Sequence, residues 1–122
     1  MIIKVKFQGK MLKFYLGRRS DFAAFYQVFV EKSYPNLIAK LRKGNVAIDA
    51  GANIGVFTVI ASTLVGPECK VISIEPDPEN VKALKKNVEL NELKTSKSLR
   101  EPYTKNLEVR LNSFKMEPCQ EL

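Results

Sequence analysis

Polar and apolar positions alternate at the start of the chain and lose that period toward its middle. Ile3, Val5 and Phe7 are interleaved with Lys4 and Lys6, the two-residue period of a strand with one buried face. Gln8-Gly9-Lys10 supplies a turn and Met11 to Leu16 a second strand, so residues 1–20 are expected to form a β-hairpin. The period then becomes helical. Phe22, Phe25, Tyr26 and Phe29 follow a cap at Ser20 or Asp21 and are expected to form a packed core face. After a break at Ser33-Tyr34-Pro35, the positions of Leu37, Ile38 and Leu41 predict a short helix over 36–41, which Lys43-Gly44 ends.

From Val46 the apolar residues run together. Val46 to Asp49 reads as a buried strand ending on a carboxylate, and Gly51 and Gly55 bracket the turn after it. Ile54 to Leu64 is apolar nearly all round, as in a helix buried between a sheet and its neighbours, and Gly66-Pro67 stops it. Val71 to Glu75 is a second apolar strand ending on an acid. Pro78 to Leu90 carries Val81, Leu84 and Val88 on one stripe, with Asp77 placed as N-cap and Asn91 as C-terminal cap. Lys94 to Lys105 reads as an exposed linker, Asn106 to Asn112 as a third strand and Met116 to Leu122 as a tail. Strands alternating with helices predict an α/β fold with a parallel sheet.

The turn is where the chemistry collects. A dinucleotide fingerprint would need glycines at 51, 53 and 56, but Asn53 and Val56 occupy two of those positions, so a pyrophosphate cradle is poorly supported. What remains is D-x-G-x-N-x-G, with Glu75 placed 75 − 49 = 26 positions after Asp49, near where a ribose-binding acid is expected. Two acids around a compact turn suit a nucleoside with a positively charged tail and no phosphate. S-adenosylmethionine has that character. The amino end of the following helix could receive its carboxylate.

Composition narrows the remaining classes. A chain of 122 residues, 45% hydrophobic and 27% charged, has room for one globular domain. No apolar run reaches the ~20 residues of a membrane span, and a cytoplasmic protein is expected. Cys69 and Cys119 lie far apart with no C-x-x-C pair and no histidine, so no metal site is expected and both are read as free thiols. The net charge of +7 shows modest concentrations at Lys82-Lys85-Lys86 and from Lys94 to Lys105, without interleaved aromatics. A solvated lysine-rich surface fits this better than a nucleic-acid partner.

Three segments together carry a specific resemblance: Ile48 to Gly55, Ile74 to Asn80, and Leu84 to Asn91. In order and spacing they resemble the FkbM-type family of S-adenosylmethionine-dependent methyltransferases, over about positions 21–93. The resemblance implies a Rossmann-like class I methyltransferase sheet, present here as its N-terminal half (21–122), preceded by the hairpin and short helices. It implies O-methylation of a small-molecule or glycan hydroxyl. By position, Asp49 and Gly51 would face the methionine part, Asn53 and Gly55 would shape the turn, Glu75 would hold the ribose, and Pro76 and Asp77 would lie beside the adenosine. Tyr34 sits where the family often has an aromatic near the cofactor.

The chain departs from that family by stopping before the fourth sheet strand, which in such enzymes lies beside the first. The strand ending at Asp49 is therefore expected to carry an unpaired edge. Three remedies are open: pairing with the hairpin or the C-terminal strand, a second copy of the chain, or the rest of a longer gene product. A homo-oligomer, a dimer at that edge, is the favoured expectation. No catalytic base can be named. The alternatives to a methyltransferase are a noncatalytic cofactor-binding fragment or relic, and a small basic nucleic-acid-binding domain.

Overall fold

A computed structural model of the chain describes residues 1–31, 35–93 and 96–99. The elements follow in the order β1 (Ile2–Phe7), β2 (Lys10–Tyr15), α1 (Arg19–Phe29), α2 (Pro35–Lys40), β3 (Ala47–Ala50), α3 (Val56–Val65), β4 (Val71–Ile74), α4 (Pro78–Leu90) and β5 (Ser96–Leu99). They form two sheets. β1 and β2 pair antiparallel, while β3, β4 and β5 form a parallel sheet in that order.

The parallel sheet is built by two successive crossovers, β3-α3-β4 and β4-α4-β5. Each is right-handed by the general rule for such units, which puts α3 and α4 on the same face. Register fixes what they cover. Ala47 lies opposite Val71 and Asp49 opposite Ser73, and these four side chains face α3. Ala47, Phe57, Ala61, Val65, Cys69 and Val71 close that layer as one apolar cluster. On the opposite face Ile72 and Ile74 of the central strand are buried, whereas Ile48 on the edge strand is 42% exposed.

Above the helices lies the second layer. Leu12 and Phe14 of β2 and Leu16 just after it turn inward and pack with Val28, Ile54, Val56, Val59 and Ile60. Phe14 meets Phe25 and Phe29 edge-on, with ring centroids 5.6 and 5.5 Å away, and Phe25 stacks on Phe29 at 4.8 Å. The four aromatics of α1 were expected on one core face, but Phe22 and Tyr26 are 41% and 51% exposed. A helix advances about 100° per residue, so the 22/26 stripe lies about 60° away from 25/29 and leaves the core.

α4 also seals the hairpin. Asn87 is wholly buried, accepts a hydrogen bond from the Tyr15 amide at 2.6 Å and donates to the carbonyls of Ile54 and Tyr15. One turn on, Asn91 accepts from the Lys13 amide at 2.8 Å and donates to the Lys13 carbonyl at 2.7 Å. Two side-chain amides thus stand in for a neighbouring strand along the edge of β2. The match is metrical: residues i and i+4 on a helix rise about 6 Å, and residues i and i+2 on a strand rise about 6.7 Å.

Other details differ from expectation. The third strand of the parallel sheet is Ser96–Leu99, inside the segment read as an exposed linker, where Ser-Lys-Ser-Leu gave no strand signal. The expected strand over 106–112 and the tail lie outside the described residues, as does Tyr34. The hairpin does not pair with the edge of β3, because β2 is already occupied by Asn87 and Asn91 and forms a separate sheet. α1 begins with Arg18 as N-cap. Asp21, expected as a cap, is instead the third helical residue and accepts from the Gly17 and Arg18 amides, both at 2.9 Å. Cys69 is disulfide-bonded and not a free thiol, and Cys119 lies outside the described residues.

Candidate cofactor site

The site begins where β3 runs out. Gly51, Asn53 and Gly55 all adopt positive φ (76°, 53° and 84°), so the chain coils left-handed between strand and helix. The Gly51 and Ala52 amides both donate to the Ile74 carbonyl, at 2.9 and 3.0 Å, which clamps the turn to the tip of β4. Glycine is required at 55 on two counts. A Cβ there would meet the Leu84 Cγ at 2.9 Å, so this position serves the packing of α3 against α4 as well as the turn.

The two predicted acids are both present at adjacent strand tips, and both are buried. Asp49 accepts a hydrogen bond from the Thr58 hydroxyl at 2.6 Å, and the Thr58 amide also favours its charge. The Ser73 hydroxyl lies 2.7 Å from Thr58 Oγ1. Because the Thr58 proton is directed to Asp49, Ser73 is the donor in that pair. The amino end of α3 is thus engaged by Asp49. Glu75 accepts from the Asn53 amide at 2.8 Å and from the Asp77 amide at 3.0 Å, tying the β3–α3 turn to the β4–α4 turn.

Asp77 caps α4 by accepting from the Glu79 and Asn80 amides, at 2.8 and 3.3 Å, with Pro78 at the first helical position. Asp77 and Pro76 are exposed beside Glu75.

A small cavity of about 70 Å³ opens at the turn. Asp49, Gly51 and Asn53 line it on one side, and Ala24, Gln27 and Val28 of α1 on the other. Gly55, Glu75, Pro76 and Asp77 are not among its walls. Cofactor-sized ligands occupy pockets of some hundreds of Å³, so this cavity alone is smaller than such a ligand needs. A larger cavity of about 540 Å³ lies at the far end of the helices, by Lys10, Lys13, Ser62 and Asn91, and contains none of the predicted site residues.

Among the described residues no cation pairs with the acids of the turn. Burial pushes the Asp49 carboxyl above its ordinary 3.8, the Thr58 hydroxyl and amide pull it back, and the Glu75 charge pushes it further up. Among the described residues the ion pair formed is Arg18–Asp21, at 2.9 Å, and neither Asp49 nor Glu75 takes part in one. Two buried acids close enough to feel each other, with no lysine or arginine among the described residues paired to either, suit a cationic ligand.

The chain belongs to the TRM5/TYW2 methyltransferase domain family, whose sequence profile matches residues 23–112. That membership makes the fold a Rossmann-like methyltransferase sheet and S-adenosylmethionine its cofactor. Among solved structures, SMU.1697c from Streptococcus mutans, provisionally named a methyltransferase and solved with SAH, is 23% identical with a TM-score of 0.57; the match covers 75% of this chain and 47% of that one. An rRNA methylase from Streptococcus thermophilus is 14% identical with a TM-score of 0.56, covering 73% and 49%. Trm5b from Pyrococcus abyssi is 17% identical with a TM-score of 0.51, covering 80% and 27%. The chain therefore spans less than half the length of these proteins. No curated protein matches the chain. No helix among the described residues is long and apolar enough to cross a membrane.

Three contributors escaped the sequence reading: Thr58, Ser73 and the inner face of α1. The first two had a signal. Thr58 is the first of three hydroxyls in a largely apolar helix, and Ser73 stands alone within Val71–Ile74. Ala24 and Val28 gave none, since small and aliphatic residues on a helix read equally well as core.

Proposed function

We propose that this chain is the cofactor-binding part of an S-adenosylmethionine-dependent methyltransferase that acts on RNA. The pair Asp49 and Glu75, joined to no cation among the described residues, carries the reading: a sulfonium and an ammonium would supply positive charge there, and Asp49, Gly51 and Asn53 line the cavity where the methionine end would lie. Glu75 would receive the ribose hydroxyls on lone pairs not used by the Asn53 and Asp77 amides, with Pro76 and Asp77 beside the adenosine and Gly55 keeping the turn's shape. When bound, the cofactor offers its methyl group to a nucleophile and leaves as S-adenosylhomocysteine. An RNA acceptor is supported by the family and by the rRNA methylase and Trm5b among its structural neighbours. The resemblance of the three motifs to FkbM-type enzymes supports a second reading, O-methylation of a small molecule or glycan.

The decisive experiment combines titration calorimetry with transfer of a tritiated methyl group to bulk tRNA, rRNA or a hydroxyl-bearing glycan. Asp49→Asn is expected to weaken S-adenosylmethionine binding about 10–100-fold, the scale of one charged partner. The same substitution is expected to stabilise the ligand-free protein above pH 4. An acid whose folded pKa is raised destabilises the fold progressively as pH rises from its unfolded value of 3.8 through the higher folded one, and asparagine removes that penalty. Unchanged affinity in Asp49→Asn overturns the site, and methyl transfer to the glycan alone overturns the RNA acceptor.

A further inference from the structure

The positive charge is not spread evenly. Residues 1–20 contain Lys4, Lys6, Lys10, Lys13, Arg18 and Arg19 and no acid, so they carry 6 of the 7 net charges of the chain. The hairpin directs part of that charge to one face. Its inner side chains pack on α1 and α3, and its outer face presents three cross-strand pairs: Ile2 with Tyr15, Lys4 with Lys13, and Lys6 with Met11. Ile2, Lys4, Lys6, Met11 and Lys13 are all exposed. Lys86 of α4 extends the face, its ammonium 3.6 Å from the centre of the Tyr15 ring.

The arrangement works against folding. Lys13 uses both its amide and its carbonyl on Asn91, which makes Lys4–Lys13 a non-hydrogen-bonded pair, the type in which opposed side chains come closest. Like charges directly opposite one another destabilise a hairpin. None of Lys4, Lys6, Lys13 and Lys86 forms an ion pair among the described residues.

We infer that this outer face of the hairpin binds the phosphate backbone of the RNA acceptor, with Lys4, Lys6, Lys13 and Lys86 as the contacts and the Tyr15 ring among them; this rests on the RNA reading above. A polyanion would relieve the Lys4–Lys13 repulsion directly. An anionic membrane fits less well. The exposed apolar residues Ile2 and Met11 sit at opposite ends of the face with the lysine pair between them, and no continuous apolar strip exists to enter a bilayer.

The test compares two triple variants of the full chain with equal loss of charge: Lys4→Gln/Lys6→Gln/Lys13→Gln on the hairpin, and Lys40→Gln/Lys43→Gln/Lys70→Gln elsewhere. Binding of a fluorescent single-stranded 20-nucleotide RNA is measured from 50 to 200 mM salt, with S-adenosylmethionine titration as the check on folding. The hairpin variant is expected to bind RNA at least 10-fold more weakly, with the salt slope reduced by about two. Its melting temperature is expected to be no lower than the parent's. The control is expected to lose less than threefold. Equal losses in both variants overturn the inference, as does a parent that binds phosphatidylserine vesicles and not RNA. If the parent methylates RNA and the hairpin variant does so equally well at 150 mM salt, the inference alone fails. If the parent binds neither S-adenosylmethionine nor RNA, the proposed function fails with it.

Discussion

Two strand edges in this molecule have opposite fates. Along β2, Asn87 and Asn91 provide side-chain donors and acceptors at the spacing of a strand, so Lys13 and Tyr15 find partners without another strand. Along β3, nothing among the described residues pairs with the side away from β4, and Ile48 stands 42% exposed. The difference shows which of the two edges the described residues close. The hairpin is closed off by a helix that already belongs to the cofactor-binding unit, whereas the parallel sheet ends on a strand able to accept another. Strands with a bare apolar edge are normally covered, and the solved relatives extend well beyond the length matched here.

The sharpest way to break the closed edge is Asn87→Ala. It leaves the Tyr15 amide and the Ile54 carbonyl buried without a partner, and unfolding in urea is expected to show a loss of about 2–4 kcal/mol. Gly55→Ala attacks the same helix from its other side, through Leu84 and a φ of +84°, and is expected to cost about 1–3 kcal/mol in the same measurement. At the open edge the effect on folding should nearly vanish: Ile48→Lys is expected to change stability by less than about 0.5 kcal/mol. Its effect belongs in association. If a second copy covers this edge, as the sequence led us to propose, light scattering at tens of micromolar will show the parent as an oligomer and Ile48→Lys as a monomer.

Much of this was legible beforehand because the strongest local signals agree with the tertiary structure. The alternation in 2–7 gave the hairpin, the apolar run to Asp49 and the glycines at 51 and 55 gave the crossing, and Asp77-Pro78 gave the start of α4. That β3 has no second neighbour among the described residues followed from counting strands. The misses share a cause: they depend on what lies opposite. Ser96–Leu99 has no strand pattern of its own and is a strand because β4 lies beside it. Phe22 and Tyr26 are as aromatic as Phe25 and Phe29, and only the direction of the core separates them. Asn91 was expected as the C-terminal cap of α4, which it is, but nothing in a linear pattern says that a backbone edge will lie against it and Asn87. At the site, the acids were visible from their positions at strand ends. That neither pairs with a lysine or arginine among the described residues is a three-dimensional fact.

The pairing of a helix with a strand edge also sets which changes of length the chain can tolerate. One residue inserted between Asn87 and Asn91 would rotate the second amide by about 100° and carry it away from Lys13, and one deleted between Lys13 and Tyr15 would turn a carbonyl the wrong way. That span can drift in sequence but not in length. The Gln8-Gly9 bend, with nothing near Gly9, could accept an insertion without disturbing either. Among homologues, gaps should therefore fall at the bend and avoid the two asparagines.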